Sequence, residues 1–307
     1  MFESLKRTAI PIADGQSSED QPSEIARGAA LLRALAAVDE REEIRGPDYL
    51  AEIFLAENRK GSLKDPAIKE WLIKYYLPFG TYAYSLARTA YFDHVVEQAL
   101  RENIPQIVFL VAGYDSRPYR FSADIKETRI FELDDCTTQQ RKKELLQQAN
   151  IPIPEQLVYV PVGDNADAIK DLLVKAGFDC NKRSLFICEG ITYYLSATEV
   201  DDILGFIKSN SPAGSTVCFD YNYLPSEIPE GGSPNELQEI MKPAGTAEAS
   251  RFGIEEGRIG TFLATKELIL LEHLRAEELE ERYLTLSDGS SAGKIPAQHC
   301  IVQASVL

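Results

Sequence analysis

The stretch "IVFLVAGYDSRPYRF" (Ile107–Phe121) decides how this chain is read. Six consecutive apolar residues, Ile107 to Ala112, run into a single glycine, then an acid, two arginines and a proline. A short apolar run bounded by turn residues reads as a strand buried on both faces. Its abrupt polar end reads as a turn with something placed on it.

Moving outward, the signals alternate. Strand-like runs follow at Thr128–Leu133, Leu157–Pro161, Ser184–Glu189 and Ser215–Tyr221. Helical patterns lie between them at Thr137–Ala149, Ala166–Ala176 and Ala197–Ser209. Alternation of this kind predicts βαβ units, an α/β fold and a mostly parallel sheet with helices on both faces. Towards the carboxyl end, Glu267–His273 reads as a strand, Arg275–Tyr283 as a helix and Gln298–Leu307 as a last strand, suited to antiparallel insertion. That makes seven strands.

Residues 1–104 show helical periodicity instead. Ile25, Gly28, Leu32 and Leu35 share one helical face, as do Phe92, Val95, Val96 and Ala99. The expected organisation is a helical amino-terminal cap (1–104) and an α/β core (105–307). A Pro/Gly-punctuated insert at about 222–252 has the character of a lid or binding loop.

Composition excludes several functions. The chain has 307 residues, with 48 acidic against 32 basic side chains and a net charge of −16, so a nucleic-acid partner is not expected. The apolar runs fall far short of the ~20 residues needed to span a bilayer. With no apolar leader core at the amino terminus, a cytoplasmic protein is expected. Five scattered cysteines and three histidines (His94, His273, His299) form no metal-ligand spacing, so no metal is expected. Cys188 and Cys218 sit in strand-like runs and read as core.

In open α/β sheets ligands bind outside the carboxyl ends of the strands. The first four strands end on Asp115, Asp134, Asp164 and Glu189, so each carries an acid. One such acid is often only a helix cap, but four in one crevice would repel one another unless a ligand supplied donors and positive charge. Asp134 stands about 20 residues past Gly113, the spacing of a ribose-binding acid. A dinucleotide needs several glycines to admit its pyrophosphate, and only Gly113 is present. A phosphate-free, cationic nucleoside fits better, and S-adenosylmethionine is one.

These residues also match a known pattern. "FLVAGYDSRPYRF", "FELDDCTTQQRKK", "PVGDN" and "SLFICEGITYYL" resemble, in order, motifs of the leucine carboxyl methyltransferase family. They are most similar to its bacterial branch of S-adenosylmethionine-dependent O-methyltransferases, which includes polyketide-pathway enzymes. "IARGAALLRALAA" and "SLARTAYFDHVV" resemble amino-terminal segments of that branch.

The resemblance implies a Rossmann-like class I methyltransferase sheet, mostly parallel, with the last strand antiparallel. It implies that Arg88 grips the methionine carboxylate of the cofactor and that Gly113 lets it approach the backbone. Asp134 would bind the ribose, Asp164 and Asn165 would frame the adenine, and Glu189 would lie near the methionine moiety. Asp115 either joins them or supports the turn. Tyr194 is the catalytic candidate, facing the acceptor or packing in the core. Arg117 and Arg120 are expected to support the turn. Where the family usually has LGAG, this chain has Leu110-Val111-Ala112-Gly113, which puts a β-branched side chain beside the expected cofactor tail.

Methyl transfer needs the nucleophile held in line with an activated carbon. A carboxylate acceptor is already ionised and needs no base, whereas a hydroxyl needs one; His94, on the helix after Arg88, is a candidate. Tyr221 and Tyr223 either line the acceptor site or pack. The expected function is S-adenosylmethionine-dependent O-methyl transfer to a carboxylate or hydroxyl of a small metabolite or carrier-bound intermediate. Two alternatives are an NAD(P)-dependent oxidoreductase on a similar sheet and a non-catalytic S-adenosylmethionine-binding protein.

Overall fold

The computed structural model describes residues 23–162, 169–224 and 252–307. The five strand-like runs beginning at Ile107 become β1 (Gln106–Leu110), β2 (Arg129–Asp135), β3 (Leu157–Val162), β4 (Ser184–Cys188) and β5 (Thr216–Leu224). After them come the two-residue β6 (Ile254–Glu255), β7 (Leu268–Arg275) and β8 (His299–Val306). The main path of the sheet runs β3-β2-β1-β4-β5-β8-β7, with β6 paired to the end of β5. β1 to β5 are mutually parallel, and β8 is antiparallel to both β5 and β7. This is the expected Rossmann-like sheet with its last strand reversed.

Alternating side chains explain the continuous apolar strands. Ile107 and Phe109 join one buried cluster, while Val108 and Leu110 join the other on the opposite face. The first face is covered by α1 (Glu24–Ala37), α3 (Thr81–Arg101), α5 (Cys136–Gln148) and α9 (Ala276–Tyr283), which contribute Leu35, Phe92, Leu145 and Leu279. α2 (Pro66–Trp71) lies in the segment between α1 and α3, and the short α4 (Arg117–Arg120) follows the β1 turn. The second face is covered by α6 (Ile169–Lys175), α7 (Ala197–Ser209) and α8 (Ile259–Thr265), through Leu173, Ile203 and Leu263. The helical amino-terminal segment therefore packs directly onto the sheet.

Local chemistry sets several starts. Ser23 caps α1 by accepting from the Ala26 N–H, and Asp135 caps α5 by accepting from Thr137 and Thr138. Ser196 and Glu199 form a reciprocal capping box on α7. Strand β1 stops at Leu110, two residues before the apolar run ends, because Val111 turns to φ +57° and Gly113 to φ +51°. The expected helix at Ala166–Ala176 is seen from Ile169; Ala166–Ala168, Asp164, Asn165 and the central part of the insert lie outside the described residues. No helix among the described residues is long and apolar enough to cross a membrane.

Candidate active site

The chain leaves β1 towards β2 on one side, and β4 lies on the other. The strand order reverses between β1 and β4, and the crevice outside their carboxyl ends is where such sheets bind ligands. A pocket opens there. The β1 turn (Val111 to Asp115), Asp134 of β2 and Glu189 after β4 line it from the sheet. Ala26 and Arg33 of α1, and Thr81, Tyr84 and Arg88 of α3, line it from above.

Arg88 comes from the middle of α3 and reaches the β4–β5 end. Its Nε donates to Glu189 Oε1 (3.1 Å), and its Nη1 donates to the Tyr193 hydroxyl (3.2 Å) and Asp220 Oδ2 (3.3 Å). Nη2 makes no hydrogen bond among the described residues, which leaves it as a donor for a carboxylate on a residue that lines the pocket.

Asp220 is fully buried in β5. Its Oδ1 accepts from the Gly190 N–H (2.7 Å), and its Oδ2 accepts from the Tyr84 hydroxyl (2.9 Å) and the Tyr193 hydroxyl. Gly190 holds φ +72°, which brings its N–H onto that carboxylate.

Arg117, at the start of α4, ties the acids together. Its Nε donates to Asp93 Oδ1 (2.6 Å), while Nη1 donates to Asp115 Oδ2 (2.6 Å) and Glu189 Oε2 (2.7 Å). Arg120 clasps Asp93 with both terminal nitrogens at 2.8 Å. Burial alone would raise the Asp115 carboxyl, yet Arg117, Arg33 and Lys142 with the Arg117 N–H together outweigh it and hold Asp115 below the usual carboxylate range. The expectation that a ligand must offset the converging acids is thereby corrected. For Asp115 and Glu189, Arg117 and Arg88 supply that charge from within the chain.

Asp134 is handled differently. Its Oδ2 accepts from the Gly113 N–H and its Oδ1 from the Asp135 N–H (2.6 Å). Burial pushes this carboxyl up to about 6, although both N–H groups favour the ionised form. Each oxygen accepts one bond and keeps a lone pair, so two ribose hydroxyls fit the remaining capacity. The positive φ of Gly113 is matched by close packing, since a Cβ there would stand 3.1 Å from Ala26 Cβ. Val111 adopts the same left-handed conformation with a β-branched side chain, a costly arrangement. That side chain packs partly into the second-face core while still bordering the pocket.

Tyr194, on the short turn Thr192–Tyr194, is buried in the second-face cluster and also lines the pocket. Burial pushes its phenol above the usual tyrosine range, so at neutral pH it stays protonated. His94 is exposed and lies away from the pocket lining. Tyr221 hydrogen-bonds His273 (3.0 Å) and Tyr223 lies under Arg275; neither lines the pocket. Among the described residues no His/Cys/Asp/Glu group is arranged to hold a metal.

Sequence reasoning missed Asp220, Tyr84 and His299. Asp220 had a signal, because it is the acid towards the end of the fifth strand and the strand-end rule names it. Tyr84 and His299 had none.

Residues 26–208 match the family profile described as leucine carboxyl methyltransferase. The chain belongs to the leucine carboxyl methyltransferase family. The match covers the β1 turn, Asp134, Arg88 and Glu189. Within this family the chain is similar to "Putative S-adenosyl-L-methionine-dependent methyltransferase YktD" of Bacillus subtilis (strain 168), at 30% identity over 65% of this chain and 66% of that protein. A Mycobacterium avium (strain 104) protein of the same description is 34% identical over 45% of this chain and 43% of its own length. The chain thus spans under two thirds of the length of these relatives. Among solved structures, magnesium protoporphyrin IX methyltransferase from Synechocystis PCC 6803 is 10% identical with a TM-score of 0.42, covering 78% of this chain and 98% of that one.

Proposed function

We propose that this leucine carboxyl methyltransferase family member is an S-adenosylmethionine-dependent O-methyltransferase. Its acceptor is a carboxylate or hydroxyl of a small metabolite or carrier-bound intermediate, and it works in the cytoplasm without a nucleic-acid or membrane partner. One observation carries the reading: a single pocket at the β1–β4 reversal gathers Arg88, Gly113, Asp134 and Glu189.

The residues fit the cofactor group by group. The spare Nη2 of Arg88 would pair with the methionine carboxylate, and Glu189, which borders the pocket, would meet the ammonium. The lone pairs left on Asp134 would accept the ribose hydroxyls, and Gly113 would admit the ligand to the backbone. Asp115 braces the turn through Arg117 and borders the same pocket. Asp164 and Asn165 are assigned to the adenine on the resemblance alone. Tyr194 would face the acceptor as a hydrogen-bond donor, since its phenol stays protonated.

When bound, S-adenosylmethionine supplies an activated methyl group. The chain's own part is to hold the acceptor in line and exclude water, a positioning term of up to about 7–11 kcal/mol in favourable cases. The family match does not favour the oxidoreductase alternative. Calorimetry with S-adenosylhomocysteine tests the proposal. Binding is expected, and Asp134→Ala should weaken it at least tenfold. No binding to the wild type, or an unchanged affinity in the variant, would refute it.

A further inference from the structure

Because β8 enters the sheet antiparallel, its first residue lands at the carboxyl edge of the parallel strands. That residue is His299, directly opposite Asn222 of β5. Its ring stacks on Tyr84 with centroids 4.0 Å apart and planes 8° apart, and Tyr193 stands edge-on to it at 6.4 Å. His299 lines the same pocket as Gly113 and Arg88.

The bonding here is incomplete. His299 is 1% exposed, and neither Nδ1 nor Nε2 has a hydrogen-bond partner among the described residues. Thr81 Oγ1 is also unpartnered in a residue 3% exposed, and it borders the pocket one helical turn before Tyr84 on α3. Both polar atoms of the Asn222 side chain are likewise unmet. Each buried polar atom left unpaired costs ~1–3 kcal/mol, and folded proteins rarely cluster several without a reason. Neutral, unmet groups lining a pocket are what remains when a ligand supplies the missing bonds.

We propose that His299 and Thr81 form the methyl-acceptor subsite, and that this subsite takes a neutral hydroxyl, phenolic or alcoholic, rather than a carboxylate. The inference rests on the cofactor reading above and selects between its two acceptor classes. Burial, with Arg88 nearby, pushes the imidazole down to about 3, so it is neutral and carries one N–H and one lone pair. A carboxylate only accepts. It would bring a further negative charge beside Asp220 and Glu189, which already share Arg88. A hydroxyl donates to the lone pair and accepts from the Thr81 hydroxyl.

The test uses phenol and benzoate, two flat molecules of similar size differing in the group at issue. With only three histidines in the chain, 15N-histidine NMR resolves the His299 ring by comparison with His299→Phe. Titrations are run with and without S-adenosylhomocysteine, whose own affinity is measured separately. Phenol is expected to shift the His299 ring nitrogens, and benzoate to bind at least tenfold more weakly. His299→Phe should weaken phenol about tenfold while S-adenosylhomocysteine affinity stays within twofold. Should that variant fail to fold, His94→Gln and His273→Gln assign the other two rings, and the wild-type His299 shifts still decide.

Benzoate binding as well as phenol, or phenol leaving the His299 ring unmoved, overturns the proposal. S-adenosylhomocysteine binding without a phenol response sinks the subsite alone. A phenol response without S-adenosylhomocysteine binding sinks the cofactor reading and keeps the subsite.

Discussion

At the β1–β4 end of the pocket, each of Arg88, Asp93, Asp115, Arg117, Arg120, Glu189 and Asp220 pairs with at least one group of opposite sign. At the β5–β8 end, His299 and Thr81 are just as buried, are neutral, and keep polar atoms without partners among the described residues. In the first arrangement the opposite charges answer one another within the chain, while Arg88 Nη2 and Arg117 Nη2 keep no hydrogen-bond partner among the described residues. The second carries no charge, and its open atoms are neutral donors and acceptors. Charge accounting therefore separates a paired ionic network from neutral polar groups, although Arg88, Asp115, Glu189, Thr81 and His299 line one crevice.

The largest expected effect would break the comparison outright. Arg117→Met leaves Asp93, Asp115 and Glu189 without the guanidinium that joins them. Removing one partner of a buried charge cluster typically costs ~3–5 kcal/mol. Urea unfolding should show a loss of that order, and a loss below about 1 kcal/mol would mean the cluster is not scaffold.

The next effect sharpens the contrast within the cofactor end. The Asp134 carboxyl is raised to about 6, so the folded protein holds this proton more tightly than the unfolded chain. Its contribution to stability is greatest below the unfolded carboxylate range and falls as pH rises through about 6. Ribose hydroxyls donate to the ionised form, so ligand affinity runs the other way. S-adenosylhomocysteine should bind about tenfold more weakly at pH 5 than at pH 7.5, following the ionised fraction. A flat affinity profile over that range would remove Asp134 from the contact.

The smallest effect concerns Val111. Left-handed backbone costs ~1–2 kcal/mol for a residue with a Cβ, and glycine lifts that cost while giving up about 0.5–1 kcal/mol in chain entropy. Loss of the partly buried valine side chain offsets more. Val111→Gly should change thermal stability by no more than about 1 kcal/mol while tightening S-adenosylhomocysteine several-fold. A loss beyond ~2 kcal/mol would show that the valine's packing governs the turn.

Much of this was legible before any coordinates. Strand and helix alternation is written in short-range periodicity, and the rule that ligands sit at strand ends turned Asp115, Asp134 and Glu189 into candidates. All three line the pocket. The rule stopped one strand early, at Glu189, and so passed over Asp220. Counting acids alone also suggested that a ligand must neutralise them, because Arg117's reach to Asp93, Asp115 and Glu189 depends on how α3 and α4 pack.

The sequence alone determined the class of sheet, the place of the turn at Val111–Asp115 and the family, since these rest on local patterns of residues close together in the chain. The meeting of His299 with Tyr84 and Asn222 was decided only by the tertiary structure. It depends on the reversed direction and register of β8 beside β5, which pairs residues far apart in the chain. Such register is set by which faces the whole assembled sheet buries, and no short window of sequence carries that information.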